Sequence, residues 1–320
     1  MFKVISTSLD FGKISRRPVE YLLENQCTFE SVQVNAAAEQ DGIKVVKGTD
    51  VLIVGLQRIS DKVLEAADRL KVIGRCGAGL DNIDLQSAGA RGIAVVYTPG
   101  ANAHTVADYA VGLMLALTRQ ITAVDRSTRT GSWKRVIGND MWTKTLGIFG
   151  LGQIGCKVAQ RAKGFDMNVI AYDVVENQAA AAELGVTYKS KDAVLREADF
   201  ISLHLPLTTE TRGFISGPDL AKMKQTAFLI NTARGGLVDE SALYAALKEK
   251  QIAGAALDVF AQEPPEGSPL FKLDNFIGCP HLGGITAEAL ERIGMSVAHD
   301  VVAVLQGKRP QFLANKAYLK

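Results

Sequence analysis

A chain of 320 residues that is 47% apolar and 22% charged carries enough hydrophobic material for two compact cores, and its balance excludes a disordered polymer. Its 36 basic and 34 acidic residues are interspersed for a net charge of +2, which argues against nucleic acid as the main partner. There is no leader-like start, no run of about 18 apolar residues that would span a membrane, and no metal-ligand spacing among Cys27, Cys76, Cys156 and Cys279; the expectation is a cytoplasmic protein with reduced thiols, no structural metal and no membrane contact.

In chain order, short apolar runs begin at Phe2 (FKVIST), Val51 (VLIVGL), Lys71 (KVIGRC) and Ile93 (IAVVYT) and alternate with helix-period stretches. That alternation predicts β/α units feeding a parallel sheet. From His104 to about Arg129, Val106, Ala110, Leu113, Met114, Leu117, Ile121 and Val124 recur at three- and four-residue steps and predict one long amphipathic helix. Its apolar face is too long for one small domain to hide, so a homodimer is expected. A second strand series follows: LGIFG, VIAYD, FISLHL, AFLINTA, GAALDV and FIGCP. A second amphipathic helix, Thr286 to about Leu305, carries Leu290, Ile293, Val297, Val301 and Leu305 on one face. The tail after it must pack somewhere, and its return to the first domain makes that domain discontinuous, 1–98 with 288–320, around a second domain at 99–287. Two such crossings would hinge a cleft. The fold class is therefore α/β, with two doubly wound parallel-sheet domains.

Gly150-Leu151-Gly152-Gln153-Ile154-Gly155 follows the strand LGIF and precedes a helix-like stretch, the context a dinucleotide fingerprint requires. Gly150 permits the tight turn, Gly152 leaves room for a pyrophosphate, and Gly155 lets helix and strand pack closely. The helix amino end supplies N–H donors for phosphate. Asp173 ends the next strand, 23 residues beyond Gly150, close to the spacing of a ribose-binding acid. An acid there accepts from both ribose hydroxyls and repels a 2′-phosphate. The cofactor expected is NAD.

Three further motifs each follow a predicted strand: Asn231-Thr232-Ala233-Arg234-Gly235, then Asp258 through Glu263-Pro264, then Pro280-His281-Leu282-Gly283. Open α/β sheets bind ligands at that edge, so Arg234, Glu263 and His281 are expected to converge. A guanidinium fork grips the carboxylate and carbonyl oxygens of a 2-keto acid together. An imidazolium delivers the proton as hydride reaches the carbonyl carbon, and a carboxylate behind the ring orients it. Arg234, His281 and Glu263 are the candidates for these three roles.

These motifs, read here as GLGQIG, AYD, NTARG, LDVFAQEP and PHLGG, resemble in order those of the D-isomer-specific 2-hydroxyacid dehydrogenases, the phosphoglycerate dehydrogenases above all, over nearly the whole chain. The resemblance implies a Rossmann NAD-binding domain at 99–287 and a discontinuous flavodoxin-like substrate domain. It implies Arg234, Glu263 and His281 as the catalytic set and Asp258 as partner of the nicotinamide carboxamide. Ala78, Gln153, Ile154, Thr232, Ala233 and Gly283 are then further cofactor contacts. RCGAGLDNID matches the family's substrate loop, with backbone at Gly77, Ala78 and Gly79 holding the carboxylate and Arg75 just before it; Asn102, in TPGANAHTVAD, joins the substrate set. The helix from His104 matches the family's dimer-forming segment. Asp108 stands where many relatives have glutamate, and Ala78 where phosphoglycerate enzymes often have threonine. No regulatory domain follows the second long helix, so serine feedback is not expected.

The substrate that follows is D-3-phosphoglycerate with its partner 3-phosphohydroxypyruvate, for which Arg58 and Arg75 are the available cations. Glyoxylate or hydroxypyruvate reduction is the alternative within the family. An NAD-dependent peptide-binding dimer, like the carboxyl-terminal binding protein corepressors that share the fold and the Arg, Glu and His set, is the alternative outside catalysis.

Overall fold

The computed structural model describes residues 1–35 and 38–319. The chain divides into two compact units, Met1–Asn102 with Ile285–Lys320, and Ala103–Gly284.

The first unit opens with β1 (Phe2–Ser6), α1 (Arg17–Glu24), β2 (Cys27–Ser31), α2 (Glu39–Val46), β3 (Val51–Val54), α3 (Asp61–Glu65), β4 (Val72–Arg75), α4 (Leu85–Ala90) and β5 (Ala94–Val96). The strands pair in parallel in the order β2-β1-β3-β4-β5, the flavodoxin-type winding. Every residue of β3 and β4 is buried, as expected of strands covered on both faces. β2 was not anticipated. Its CTFES sequence exposes alternate polar residues at the sheet's edge and carries little apolar signal.

The second unit holds α5 (Ala103–Thr118), α6 (Ile121–Arg129), β6 (Thr145–Phe149), α7 (Gln153–Lys163), β7 (Asn168–Tyr172), α8 (Gln178–Leu184), β8 (Thr187–Tyr188), α9 (Lys191–Glu197), β9 (Phe200–Leu203), α10 (Gly217–Leu220), β10 (Phe228–Asn231), α11 (Glu240–Lys248), β11 (Gly254–Leu257) and β12 (Phe276–Gly278). Its seven parallel strands run β12-β11-β10-β9-β6-β7-β8. The winding reverses between β6 and β9, so the crevice of this sheet lies at their carboxyl ends, beside Gly150 and His204.

The single long helix expected from His104 to Arg129 is two. α5 stops at Thr118, and Gln120 takes a left-handed conformation, φ 51°, before α6 begins. The Thr118 carbonyl, which would accept the next turn's N–H, instead accepts from Asn139 at 3.0 Å, where the returning segment crosses the helix end. Apolar spacing continues through the break and conceals it. The face of α5 is buried within its own unit, through Ala107, Ala110, Leu113, Met114 and Leu117, while α6 buries no residue. The length of an apolar face therefore gives no reason to expect a dimer.

The chain then returns to the first unit. α12 (Ala287–Leu305), capped by the Thr286 hydroxyl, packs Val297, Ala298, Val301 and Val302 into the core formed with Val4, Val51, Ile53 and Val72. Asp300 accepts the N–H groups of Gln311 and Phe312 at 2.6 and 3.0 Å and turns the chain toward β5. There Leu313 bridges antiparallel to Val96. The Asn315 side chain donates to Ile93 O at 2.8 Å and accepts from Val95 N at 2.9 Å, covering the outer edge of the sheet.

Among the described residues no helix is long and apolar enough to cross a membrane. None of their His, Cys, Asp and Glu side chains form a group of three or more that could hold a metal ion. All four cysteines are free thiols, and only Cys27 is buried outright.

Candidate active site

The glycine loop joins β6 to α7. Gly150 has φ +94°, and a side chain there would begin 2.7 Å from the His204 carbonyl oxygen; at Gly155 it would begin 2.1 Å from Gly150 O. Both positions demand glycine, the first for its conformation and the second for the close crossing of helix and strand. Around Gly152, in contrast, there is open space. Gln153 and Ile154 form the first turn of α7, whose leading N–H groups lack intrahelical acceptors. Asp173, at the end of β7, accepts from Leu151 N at 2.8 Å and Val175 N at 3.2 Å, which fixes its carboxylate beside the loop.

At the end of β10, the Asn231 amide closes the next loop, donating to Arg234 O at 2.8 Å and accepting from Ala233 N at 3.0 Å. Thr232 is buried, yet its hydroxyl has no partner among the described residues. The Arg234 guanidinium donates to Ala233 O at 2.7 Å. An open space before a helix amino end, a fixed acid at the next strand and an orphaned hydroxyl along one sheet edge are what a dinucleotide would satisfy. The residues present fit that group.

Beyond β11 and β12 the remaining two side chains meet. His281 Nδ1 lies 2.8 Å from Glu263 Oε2, and Glu263 Oε1 accepts from Phe260 N at 3.1 Å. Burial works to raise the Glu263 carboxyl, but the His281 ring, the Phe260 N–H and the Arg234 charge outweigh it and hold the group below its ordinary value. His281 itself sits at φ +57°, a strained conformation for a non-glycine residue. Asp258 accounts for it. Only 1% exposed, it accepts Leu282 N at 2.8 Å and Gly283 N at 2.7 Å on its two carboxylate oxygens and His281 N on its carbonyl. Burial pushes its carboxyl up despite these donors. Sequence reasoning gave Asp258 a cofactor contact and overlooked this grip on the histidine loop.

Sequence reasoning also overlooked the segment after β9, His204-Leu205-Pro206-Leu207, whose backbone lies against Gly150 at the point where the winding reverses. The signal was available in FISLHLPL, an apolar strand ending in a proline loop at that position.

In the first unit, Gly77 donates to Thr98 Oγ1 at 3.1 Å, and its carbonyl accepts Thr98 N. The N–H groups of Ala78 and Gly79 have no acceptor among the described residues. Arg75 is buried, its guanidinium folded under this loop and donating to Cys76 O. Arg58 and its neighbour Leu56 are exposed at the end of β3, and Leu9 is exposed after β1. Asn102 is half-buried.

Residues 111–283 match the D-isomer specific 2-hydroxyacid dehydrogenase family through its NAD binding domain, and the chain belongs to that family. It is 44% identical to the D-3-phosphoglycerate dehydrogenase of Methanocaldococcus jannaschii over 87% of its own length and 54% of that protein's, so it spans about half of that relative. It is 43% identical to the glyoxylate reductase of Korarchaeum cryptofilum, over 87% of this chain and 86% of that one. Among solved structures, the TT0316 protein of Thermus thermophilus superposes with a TM-score of 0.90 at 35% identity, covering 98% of this chain and 100% of that one.

Proposed function

We propose that the protein is an NAD-dependent D-2-hydroxyacid dehydrogenase that interconverts D-3-phosphoglycerate and 3-phosphohydroxypyruvate. The observation that carries the reading is the 2.8 Å pair of Glu263 and His281 on the same sheet edge as the glycine loop and Arg234. When bound, the dinucleotide supplies or takes up the hydride. His281 keeps Nδ1 on Glu263, which leaves Nε2 to give a proton to the carbonyl oxygen in reduction and to take it back in oxidation. Arg234 grips the carboxylate and carbonyl oxygens and orients the reacting carbon. Asp173 selects NAD over NADP by its charge, and Thr232 offers its open hydroxyl to the cofactor. In the first unit, Gly77, Ala78, Gly79 and Asn102 form the substrate set, the open N–H groups being those of Ala78 and Gly79.

The relatives named phosphoglycerate dehydrogenases support the phosphorylated substrate, with exposed Arg58 as its cation. A second reading, glyoxylate or hydroxypyruvate reduction, draws support from the Korarchaeum relative matched along most of its length and from exposed Leu9 and Leu56, which suit an uncharged tail. Initial rates with NADH and phosphohydroxypyruvate, hydroxypyruvate, glyoxylate and pyruvate separate them. The phosphorylated acid should lead in kcat/KM by at least about tenfold, the worth of one charged hydrogen bond. A lead for glyoxylate or hydroxypyruvate would move the assignment to the second reading, and no turnover of any of the four would overturn both.

A homodimer belongs to the same proposal, supported by apolar side chains left exposed between α6 and β6: Trp133 at 92%, Ile137 at 94% and Trp142 at 64%. Four free thiols accord with a cytoplasmic setting.

A further inference from the structure

The segment after β3 alternates in exposure: Leu56 and Arg58 face solvent, while Gln57 between them is 2% exposed and Ile59 is fully buried. The Gln57 side-chain amide meets no partner among the described residues, so the segment's own buried polar group does not anchor it. Asn82 does. Its side-chain nitrogen donates to Gly55 O at 3.1 Å and to Gln57 O at 2.7 Å, and its carbonyl accepts Ile59 N at 2.7 Å. Only the NH2 end of an amide can meet two carbonyl oxygens together, which fixes the orientation of the side chain. Arg58 is thus flanked on both sides, at Gln57 and at Ile59, by bonds to one residue. Ile59 O in turn accepts Asp84 N at 2.9 Å, and the Asp84 carboxylate accepts Ser87 N at 2.9 Å in the first turn of α4, which ties the segment to a helix.

Asn82 lies three residues beyond Gly79, in the loop that opens at Gly77. The opening of that loop is held from elsewhere: Cys76 N donates to Val54 O at 2.9 Å, and Gly77 exchanges bonds with Thr98. Loss of the Asn82 amide therefore frees the Arg58 segment and leaves the Ala78 and Gly79 N–H groups where they are. We propose that Asn82 is a positioning residue for the tail of the substrate: it sets Arg58 at a fixed distance from those N–H groups, so that the two anionic ends of a phosphorylated keto acid are met together, one by each loop. The proposal rests on the reading of Arg58 as the cation for the phosphate. A cation on a preset backbone binds without the entropy cost of ordering its loop, which is what the Asn82 bonds remove.

The test uses the full-length protein, NADH, and two acids that differ by the phosphate, phosphohydroxypyruvate and hydroxypyruvate. Asn82→Ala should lower kcat/KM for the phosphorylated acid by about fivefold or more, through KM, and change that for hydroxypyruvate by less than about twofold. Asn82→Gln keeps both donors on a longer arm and should lose less; it carries the same comparison where the shorter side chain costs the fold. Because Asn82 acts through Arg58, adding Asn82→Ala to Arg58→Ala should cost the phosphorylated acid no more than about a further twofold. Equal losses on both acids, or losses that multiply in the double variant, would make Asn82 a support of the fold alone and overturn the proposal. So would a preference for the phosphorylated acid that Arg58→Ala abolishes and Asn82→Ala leaves intact. A preference that survives Arg58→Ala, or that the wild type lacks, would instead overturn the reading of Arg58, and the proposal would fall with it.

Discussion

Of the chain's four histidines, His204 and His281 both follow strands of the second sheet, and their environments differ. His204 also stands at a strand end beside the glycine loop, but it is buried, with Nε2 2.9 Å from Ser202 Oγ, and burial pushes its ring down to about 3. It stays neutral at any working pH. His281 is partly open and rests on a carboxylate that is ionised below the ordinary glutamate value of 4.5. A depressed folded value means that the native state binds fewer protons than the unfolded chain in that window. Glu263 therefore stabilises the fold above the ordinary value, and the contribution is lost as pH falls through the folded one. Wild type should melt above Glu263→Gln at neutral pH, with the gap narrowing as acid is added below 4.5. Thermal melts of both from pH 7 to pH 3 check this, and a gap that ignores pH would dissolve the ion pair. The meeting of Glu263 with His281 was legible because each is a reactive side chain in a short motif after a strand. Asp258's grip was not, because it depends on which residues of two different loops come opposite each other. Arg75 is the converse case: it reads as a substrate cation and is folded under its own loop.

At the scale of elements, the β6–α7 turn works only if helix and strand nearly touch. Gly155→Ala sets a methyl group 2.1 Å from the Gly150 carbonyl oxygen and forces α7 away from β6. That overpacking should cost roughly 1–3 kcal/mol of stability and weaken NADH binding together. A denaturant titration and an NADH fluorescence titration check it; wild-type values in both would show a turn that yields without cost. Strands buried on both faces were legible as continuous apolar runs. β2, a polar edge strand, and β8, two residues long, were not. The break between α5 and α6 escaped for a different reason. What ends α5 is an N–H from Asn139, twenty-one residues along the chain, and periodicity carries no trace of it.

For the whole molecule, the division into two units and the return of α12 were readable from the order of strands and helices alone. The surface proposed for self-association was not, because its exposed apolar side chains lie on an irregular segment rather than on the helix that suggested a dimer. Trp133 and Ile137 would each cover substantial apolar area in a dimer. Light scattering should give twice the 34.3 kDa protomer mass at micromolar concentration, and Ile137→Glu, which sets a charge in that surface, should halve it. A fully active wild-type species at the protomer mass would contradict the assignment.

The return of the chain to β5 also dictates an order of assembly during synthesis. As the polypeptide leaves the ribosome, Met1–Asn102 appears first but lacks the helix that lies over Val72 and the segment that seals β5. The continuous stretch Ala103–Gly284 appears later and is able to close first. Until Asn315 emerges to occupy Ile93 and Val95, the nascent protein is a finished half tethered to an unfinished one with an open strand edge. That interval leaves the β5 edge unpaired and open to association with another chain.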